Sequence, residues 1–580
     1  MVLPGNGNFS VEGPLAEARP AVLALRRTLG RGWGSEPSAG GAGPIRLRIA
    51  PRGSGPQSYL LRITPDGICA EAQDRAGLFY AAVTLAQLVR LTGGNLPACE
   101  IEDRPDFPVR GVMLDISRDK VPTMATLFQL VDLLANLKVN QFQLYTEHAF
   151  AYHDHHEVWR DASPMTAEEV RALDAYCQER CVDLMPNQNS FGHLERWLTR
   201  PRYNALAELP RGGAPLPWGG THEKPTSLCP TDPLSLEFLE GLYDELLPNF
   251  TSRLFNVGCD ETFDLRGEGR SAARVRECGE GRVYLDFLKK IHGLVAARGR
   301  TMAFWGDIII RHPELVPELP PDAVALEWGY EADHPFGEHG ALFAKSGVPF
   351  YVCPGTSSWN SLSGRTTNML ANLRSAAENG LTHGACGYLV TDWGDGGHWQ
   401  PLAVSFAGYV CGAALAWGCR RNAGIDLAAA MDAQISEGLG QTLLELGDVY
   451  LKCGALRGNG TELFHILSKP RTRPLAAGVT RTSLQHVLDD VDRLAASLPR
   501  SPTVVAQETQ QVVRMLRAAC HRGLALLDGE IDSPATRLPL ARETDELMAS
   551  HAAVWRLRNR EGGLRESLGR FAAVRDEYGA

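Results

Sequence analysis

At 580 residues the chain is too long for one ordinary core, so two or three domains are expected. A hydrophobic fraction of 44% and a charged fraction of 22% are those of a globular chain in water, and a net charge of -10 argues against nucleic acid as a partner. No apolar run reaches the ~20 residues that cross a bilayer, so no membrane partner is expected. Met1–Asn8 holds no basic segment leading into an apolar run, and the thirteen cysteines are odd in number and scattered. Both features point to reduced thiols and a cytoplasmic location. Cys177 and Cys181 fall one helical turn apart, but no second pair joins them to complete a zinc site.

Residues 35–56 read as a Gly/Ser/Pro loop interrupted by an alternating strand, Ile45–Ile49. Ser58–Ile63, the Pro65-Asp66-Gly67 turn and Ile68–Ala72 make a hairpin pattern. Ala76–Thr92 follows as a helix with Leu78, Ala82, Leu85 and Leu88 on one face. A small α+β domain over residues 1–103 is the expectation. From Arg104 the pattern alternates. Strands are predicted at Val109–Ile116, Gln141–Tyr145, Val182–Pro186, Leu254–Gly258, Thr301–Trp305, Ala323–Glu327, Phe350–Cys353 and Ala385–Val390. Helices are predicted at Thr123–Lys138, Thr166–Arg180, Pro233–Leu247, Val283–Arg298, Gly340–Ser346 and Asn368–Asn379. Eight such units fit an α/β fold of the (β/α)₈ TIM-barrel kind over 104–424. A doubly wound sheet is less suitable, because no glycine fingerprint follows the first strand. Residues 425–580 read as a helical C-terminal domain broken at Pro470–Gly478 and Gly529–Pro539. Its Arg/Glu pairs, including the stretch Trp555–Arg560, suggest a solvated face, with a homodimer contact as another role open to it.

In such a barrel the carboxyl ends of the strands carry the active site. Polar and aromatic residues gather there: Asp115 and Arg118, then Tyr145, Glu147 and His148, then Asn187, Asn189 and His193. The fourth strand, Leu254–Gly258, ends on two adjacent carboxylates, Asp260 and Glu261. Trp305 and Asp307, Glu327, Trp328 and Tyr330, Trp359 and Asn360, and Asp392, Trp393 and Asp395 complete the ring. Aromatic faces with carboxylates suit a sugar, whose C–H faces stack while its hydroxyls need partners. Ordinary glycosidases straddle the sugar with two carboxyls about 5–5.5 Å or roughly 6.5–9.5 Å apart. Neighbours in sequence do not easily do so, and suit instead a reaction in which a 2-acetamido group is the nucleophile. Like-charge repulsion between them is expected to keep the acid protonated near neutrality. A metal-dependent hydrolase using His148, His153, Asp154, His155 and His156 is a weaker reading, since that run lies in a loop.

Asn256-Val257-Gly258-Cys259-Asp260-Glu261-Thr262 resembles the His-x-Gly-Gly-Asp-Glu motif of the family-20 glycoside hydrolases, the β-N-acetylhexosaminidases. Arg110–Arg118 looks like that family's first barrel strand. Ser190–Glu195 and Gly267-Glu268-Gly269 look closest to its hexosaminidase D subgroup. The small domain with Asp74-Arg75-Ala76-Gly77 is similar to the family's N-terminal module, and the resemblance covers roughly 45–420. It implies an exo-acting, retaining hydrolase of terminal β-linked N-acetylhexosamine, GalNAc or GlcNAc, on small or oligosaccharide substrates, with neither cofactor nor metal. Glu261 would be the general acid/base and Asp260 would orient the acetamide. Arg118 would bind the 3- and 4-hydroxyls, His193 would support the acid pair, and Asp395 would take the 4- or 6-hydroxyl. Trp305 and Trp393 would wall the acetamide pocket and the sugar face. The chain departs from the family at Asn256, which replaces a histidine, and after strand seven, where a tyrosine is missing. Tyr330, or a residue within Ser357–Asn360, would take that tyrosine's place, and Tyr330 and Trp359 both count among the expected substrate-binding residues. A catalytically silent sugar-binding barrel is the alternative these departures leave.

Overall fold

The computed structural model describes residues 2–3, 8–30, 32–34, 38–39, 44–50, 55–436, 438–499 and 503–579. Of the loop expected at 35–56, residues 35–37, 40–43 and 51–54 lie outside the described residues. The N-terminal hairpin forms where expected, with Tyr59–Thr64 antiparallel to Gly67–Ala72, and Ile45–Ile49 adds alongside in parallel. The sheet is larger than the sequence suggested. Phe9–Glu12 pairs parallel with Ile45–Ile49, and Cys99–Asp103 pairs antiparallel with Tyr59–Thr64. Two helices pack together against it, Arg75–Thr92 and an unforeseen one at Leu15–Leu29. Pro20 inside the latter hid its helical pattern. Asp74 caps the Arg75 helix by accepting from the Gly77 N–H at 2.7 Å.

The next eight strands form a parallel barrel. They are Val109–Asp115, Gln141–Tyr145, Asp183–Met185, Leu254–Asn256, Thr301–Trp305, Val324–Trp328, Phe350–Cys353 and Gly387–Asp392. The last strand pairs with the first over six positions, and the third meets the fourth at Asn187 and Asn256. Helices at Met124–Asn136, Ala167–Gln178, Pro233–Leu246, Glu280–Ala297, Phe336–Ser346, Thr366–Thr382 and Phe406–Trp417 cover the barrel. Among the described residues the fifth unit has no α-helix. Its connection carries Pro313, Pro317, Pro320 and Pro321, and folds instead into short 3₁₀ turns at Ile309–Arg311 and Val316–Glu318. Two apolar cores result. One lies between strands and helices and continues into the N-terminal sheet; the other fills the barrel with Met113, Met185, Leu326 and Leu389, under Tyr145, Trp305, Trp359 and Trp393. That inner plug is the floor of the site.

The helices after Gly424 are Leu427–Gln434, Gly440–Leu446, Glu462–Ser468, Arg481–Ser497, Val504–Leu527, Pro534–Arg558 and Leu564–Asp576. Two expectations change here. The second break is shorter than predicted, because the helix restarts at Pro534 and carries Pro539 within it. A two-stranded hairpin, Leu456–Arg457 with Gly460–Thr461, also interrupts the helices. Trp555–Arg560 is a solvated face only in part: Arg556 and Leu557 are exposed, and Arg556 pairs with Glu561 there, but Trp555, Arg558 and Arg560 turn inward. Trp555 is buried, Arg558 makes two bonds to the buried Glu508 (2.7 and 3.1 Å), and Arg560 donates to Pro164 O and pairs with Glu169. The stretch clamps the helices onto the first barrel loop, where the Thr123 N–H donates to Arg558 O at 2.8 Å.

Candidate active site

The fourth strand stops at Asn256 because the backbone then turns into the left-handed region: φ is 68° at Gly258, 71° at Cys259 and 50° at Glu261. Gly258 is required, since a Cβ there would lie 1.9 Å from Asn189 Oδ1. Cys259 and Glu261 have no such freedom, and each costs on the order of 1–3 kcal/mol in that region. The turn brings both carboxyls to one imidazole. His193, itself at φ 56°, has its Nε2 3.2 Å from Asp260 Oδ2 and 3.3 Å from Glu261 Oε2. Its Nδ1 lies 3.8 Å from Glu147 Oε1. Asn256 is fully buried, and its side chain bonds the Gly258 N–H and Gln143, so it holds the turn and barrel closure rather than the acids.

Charge in this cluster departs from expectation at one residue. Burial alone would lower the His193 pKa, but Asp260 and Glu261 hold it well above the usual histidine value. Burial would likewise raise Glu261, yet its contact with His193 leaves the carboxyl below the usual range. The predicted elevation of Glu261 is therefore corrected: the imidazolium outweighs like-charge repulsion. Asp307 takes that repulsion instead. Burial and the charges of Asp260 and Glu261 push it well above the carboxylate range, while its Oδ2 accepts the Glu261 N–H at 3.3 Å.

Arg118 sits among three carboxylates, 3.1 Å from Asp115, 3.2 Å from Glu147 and 2.8 Å from Asp395. Asp115 is wholly buried and also accepts the Gly394 N–H at 2.9 Å, which ties the first strand to the eighth. Burial pushes Asp115 up to about 6 despite Arg118. The guanidinium lies over the Trp393 and Tyr145 rings, 5.7 and 5.6 Å from their centres.

Aromatic rings share the pocket with the acids. Trp328 and Tyr330 stack at 5.1 Å, and Trp393 donates from Nε1 to the Tyr330 hydroxyl at 2.8 Å. With Arg118, His193, Asp260, Glu261 and Asp395 these three rings line a pocket of about 80 Å³. Trp305 and Trp359 stand a layer behind: Trp305 packs 5.9 Å from Trp393, and Trp359 meets Tyr330 edge-on at 5.0 Å. Trp328 takes a place at the surface, and a second contributor comes from outside the barrel. Asn459, on the hairpin of the C-terminal helices, also lines the pocket and accepts from Trp359 Nε1 at 2.7 Å. Nothing in its local sequence announced that role; only the long-range packing puts it there.

Several buried polar atoms around the pocket have no hydrogen-bond partner among the described residues, among them Asp260 Oδ1, Asp307 Oδ1 and the Trp305 and Trp328 Nε1 atoms. Gathered around one pocket, these atoms leave hydrogen-bonding capacity that a polar ligand can use. Among the described residues, one cluster of three His, Cys, Asp or Glu side chains brings its ligand atoms together: Glu327, His334 and His339. Glu327 Oε1 accepts from both imidazoles at 2.7 and 2.6 Å. That is tighter than the roughly 3.3 Å between two ligands of a tetrahedral zinc, so the cluster reads as a hydrogen-bonded ion group. The histidines at 148–156 do not converge: His148 bonds Asp119 and His155 bonds Tyr203.

A ring-and-carboxylate pocket at the carboxyl ends of a (β/α)₈ barrel, behind an α+β module, defines a carbohydrate-type barrel protein. The chain belongs to glycosyl hydrolase family 20. The family's catalytic-domain model matches residues 107–367 and its domain 2 model residues 6–104. A beta-hexosaminidase of Akkermansia muciniphila is 27% identical over 286 residues, 44% of this chain and 57% of that protein. One from Porphyromonas gingivalis is 24% identical over 303 residues, covering 47% and 38%. The matched stretch thus spans about half the length of these relatives, or less. Among solved structures, Flavobacterium johnsoniae chitobiase superposes with a TM-score of 0.60 at 17% identity, over 98% of this chain and 96% of that one. A beta-N-acetylhexosaminidase from Bacteroides fragilis gives 0.58 at 19%, over 72% and 88%.

Proposed function

We propose that the protein is an exo-acting, retaining β-N-acetylhexosaminidase that uses the substrate's acetamide as nucleophile. The observation that carries this reading is that Asp260 and Glu261 both contact the His193 imidazole, and so lie side by side in the pocket that Trp328, Tyr330 and Trp393 also line. Carboxyls on one flank cannot straddle a pyranose as attacking and protonating groups do. The acetamide oxygen attacks C1 while the C1–O bond to the leaving group breaks. Glu261 delivers the proton to that oxygen, and Asp260 accepts the acetamide N–H and balances the charge of the oxazolinium. Water then attacks C1 from the vacated side, giving its proton back to Glu261, and the configuration is retained. The free site holds Glu261 ionised beside the His193 imidazolium, whose Nε2 lies 3.3 Å from Glu261 Oε2. Tyr330 accepts from Trp393 and keeps its own hydrogen to donate to the acetamide oxygen.

Arg118 and Asp395 bind the distal hydroxyls, where GalNAc and GlcNAc differ, and both sugars are taken as substrates. All thirteen cysteines are unpaired, which supports a reducing, cytoplasmic setting; no helix among the described residues is long and apolar enough to cross a membrane. A chromogenic β-N-acetylhexosaminide tests the reading against a silent sugar binder. Release of the chromophore, with the β-anomer of the sugar as first product by NMR, is expected. Saturable sugar binding without release would establish the silent barrel instead.

A further inference from the structure

The hairpin between the C-terminal helices is fastened to the barrel by a set of hydrogen bonds. Its strands are Leu456–Arg457 and Gly460–Thr461, so Gly458 and Asn459 form a two-residue turn. The Asn459 N–H donates to Glu331 Oε1 at 2.7 Å, and Glu331 makes two bonds of 2.8 Å to the buried Arg365. Thr461 donates from its N–H to Asn360 O at 2.9 Å and from its hydroxyl to Ser361 O at 3.1 Å. The turn is thereby held on the loops after the sixth and seventh strands. Asn360 also links it to the turn that carries Asp395. Its Nδ2 donates to Asn459 O at 3.4 Å, and a Cβ at Gly396 would come within 2.4 Å of its Oδ1.

Asn459 stands at φ 52°, a region that asparagine enters more readily than most residues, so the turn alone would account for its presence. Its side chain goes further. Trp359 Nε1 is a donor only, so the atom it meets at 2.7 Å is the amide oxygen, and the NH₂ of Asn459 is left over. That NH₂ has no hydrogen-bond partner among the described residues, and Asn459 lines the pocket with Asp260, Glu261, Tyr330 and Asp395. An amide NH₂ can only donate, so it calls for an acceptor on the ligand. The leaving oxygen belongs to Glu261 and the acetamide oxygen to Tyr330, while Arg118 and Asp395, paired at 2.8 Å, serve the ring hydroxyls. The hydroxyl on C6 is the one that remains.

We propose that Asn459 is a specificity-determining residue that donates from Nδ2 to the 6-hydroxyl of the bound N-acetylhexosamine, so that the C-terminal helices complete the sugar site of the barrel. The inference rests on the glycosidase reading above. No chemical step is added: the bond cleaved and the groups that cleave it stay the same. What Asn459 supplies is discrimination between a C6 hydroxyl, which accepts its N–H, and a C6 methyl, which leaves that N–H unpaired. Trp359 fixes the amide and Glu331 the backbone before the sugar arrives, so the donor is already in place when it binds.

The test measures kcat/KM for chromogenic β-N-acetylhexosaminides and their 6-deoxy analogues. Wild type should prefer the 6-hydroxyl by at least about threefold, within the worth of one neutral hydrogen bond. Glycine adopts φ 52° without strain, so Asn459→Gly keeps the turn and removes the amide. In that variant the preference should shrink by roughly 3–10-fold, while turnover of the 6-deoxy substrate changes by less than about twofold. A residue that only shaped the turn would depress both substrates alike. Trp359→Phe, which frees the amide to rotate, should shrink the preference too without touching the turn. Unfolding midpoints of both variants would show that they fold. A wild type indifferent to the 6-hydroxyl, or a preference undiminished in both folded variants, overturns the proposal and leaves the glycosidase reading standing. No turnover of any glycoside by wild type sinks both.

Discussion

Two strand ends of the same barrel carry buried acids, and they differ in how well those acids are satisfied. Asp392, closing the eighth strand, is 1% exposed. Its Oδ1 accepts from Thr356, Ser358 and Ser405 at 2.8, 2.7 and 2.9 Å, and Tyr409 donates to Oδ2. Asp260, past the fourth strand, is 5% exposed, yet its Oδ1 has no partner among the described residues and its neighbour Glu261 sits at a strained φ of 50°. Burial is nearly equal. What separates them is that Asp392 has spent its hydrogen-bonding capacity on the fold, whereas Asp260 keeps capacity for something that arrives later. Satisfaction, rather than burial or position at a strand end, distinguishes the structural acid from the chemical one.

The largest effect should come at the unsatisfied end. Glu261→Gln removes the proton donor, and loss of a general acid costs ~10²–10⁴-fold in kcat. A glycoside with an excellent leaving group needs little protonation and should recover much of that loss. Asp260→Asn should not recover, because acetamide activation is still missing. Steady-state kinetics on leaving groups of graded pKa check this; equal losses across the series for both variants would contradict the division of labour.

At the satisfied end the loss should be one of stability. Asp392→Asn turns one oxygen into an N–H₂ donor facing hydroxyls that were themselves donating. Stranded buried donors cost about 1–3 kcal/mol each, so the expected cost is on the order of 3 kcal/mol. Denaturant unfolding should show the lowered midpoint, while kcat per folded molecule stays within an order of magnitude of wild type. A collapse of kcat with unchanged stability would erase the contrast.

The two ends were not equally legible in the sequence. Barrel strands are short apolar runs of fixed period, so all eight could be read, and the acids that follow them came with the strands. The aromatic wall was read less sharply, because a tryptophan at a strand end looks the same in the pocket or one layer beneath it. Trp328 and Trp393 face the pocket while Trp305 and Trp359 back it, a difference set by packing around Tyr330. The charge state of Glu261 was misjudged because two adjacent carboxyls are visible in sequence, whereas the imidazole between them comes from residue 193. Asn459 was not legible at all. It is one polar residue at the turn of a short hairpin, and its place at the site depends on contacts such as that with Trp359, which join residues far apart in the chain.

On the aromatic side, Tyr330→Phe sharpens the contrast further. The variant keeps the ring against Trp328 and Trp359 but removes the hydroxyl that accepts from Trp393. Losing one hydrogen bond to a charged intermediate is worth about 1.5–3 kcal/mol, so kcat/KM should fall by roughly 10–100-fold with the fold intact. A change confined to stability would return Tyr330 to the satisfied class with Asp392.

The smallest effect concerns Asp115, which stands between the two classes. It is wholly buried and bonded to Gly394 and Ser117, yet it also holds Arg118 at 3.1 Å. Its carboxyl is raised to about 6, so it takes up a proton at a higher pH than an ordinary aspartic acid. The sign follows. Above pH 6 Asp115 is ionised and helps aim the guanidinium; as pH falls through 6 it is neutralised and that pull is lost. Because Glu147 and Asp395 still hold Arg118, the drop in kcat/KM should be less than about tenfold and should appear in KM rather than kcat, as expected for a group that acts on sugar binding. For stability the direction is opposite. A raised pKa means that the folded state prefers the protonated form, so ionised Asp115 is a burden fully present above pH 6 and relieved as pH falls from 6 towards 4. Asp115→Asn should therefore lose the acid limb in KM and sit at a uniformly weaker value. A variant that kept the limb near pH 6 would assign it to another acid in the cluster, with Asp307 the first to examine.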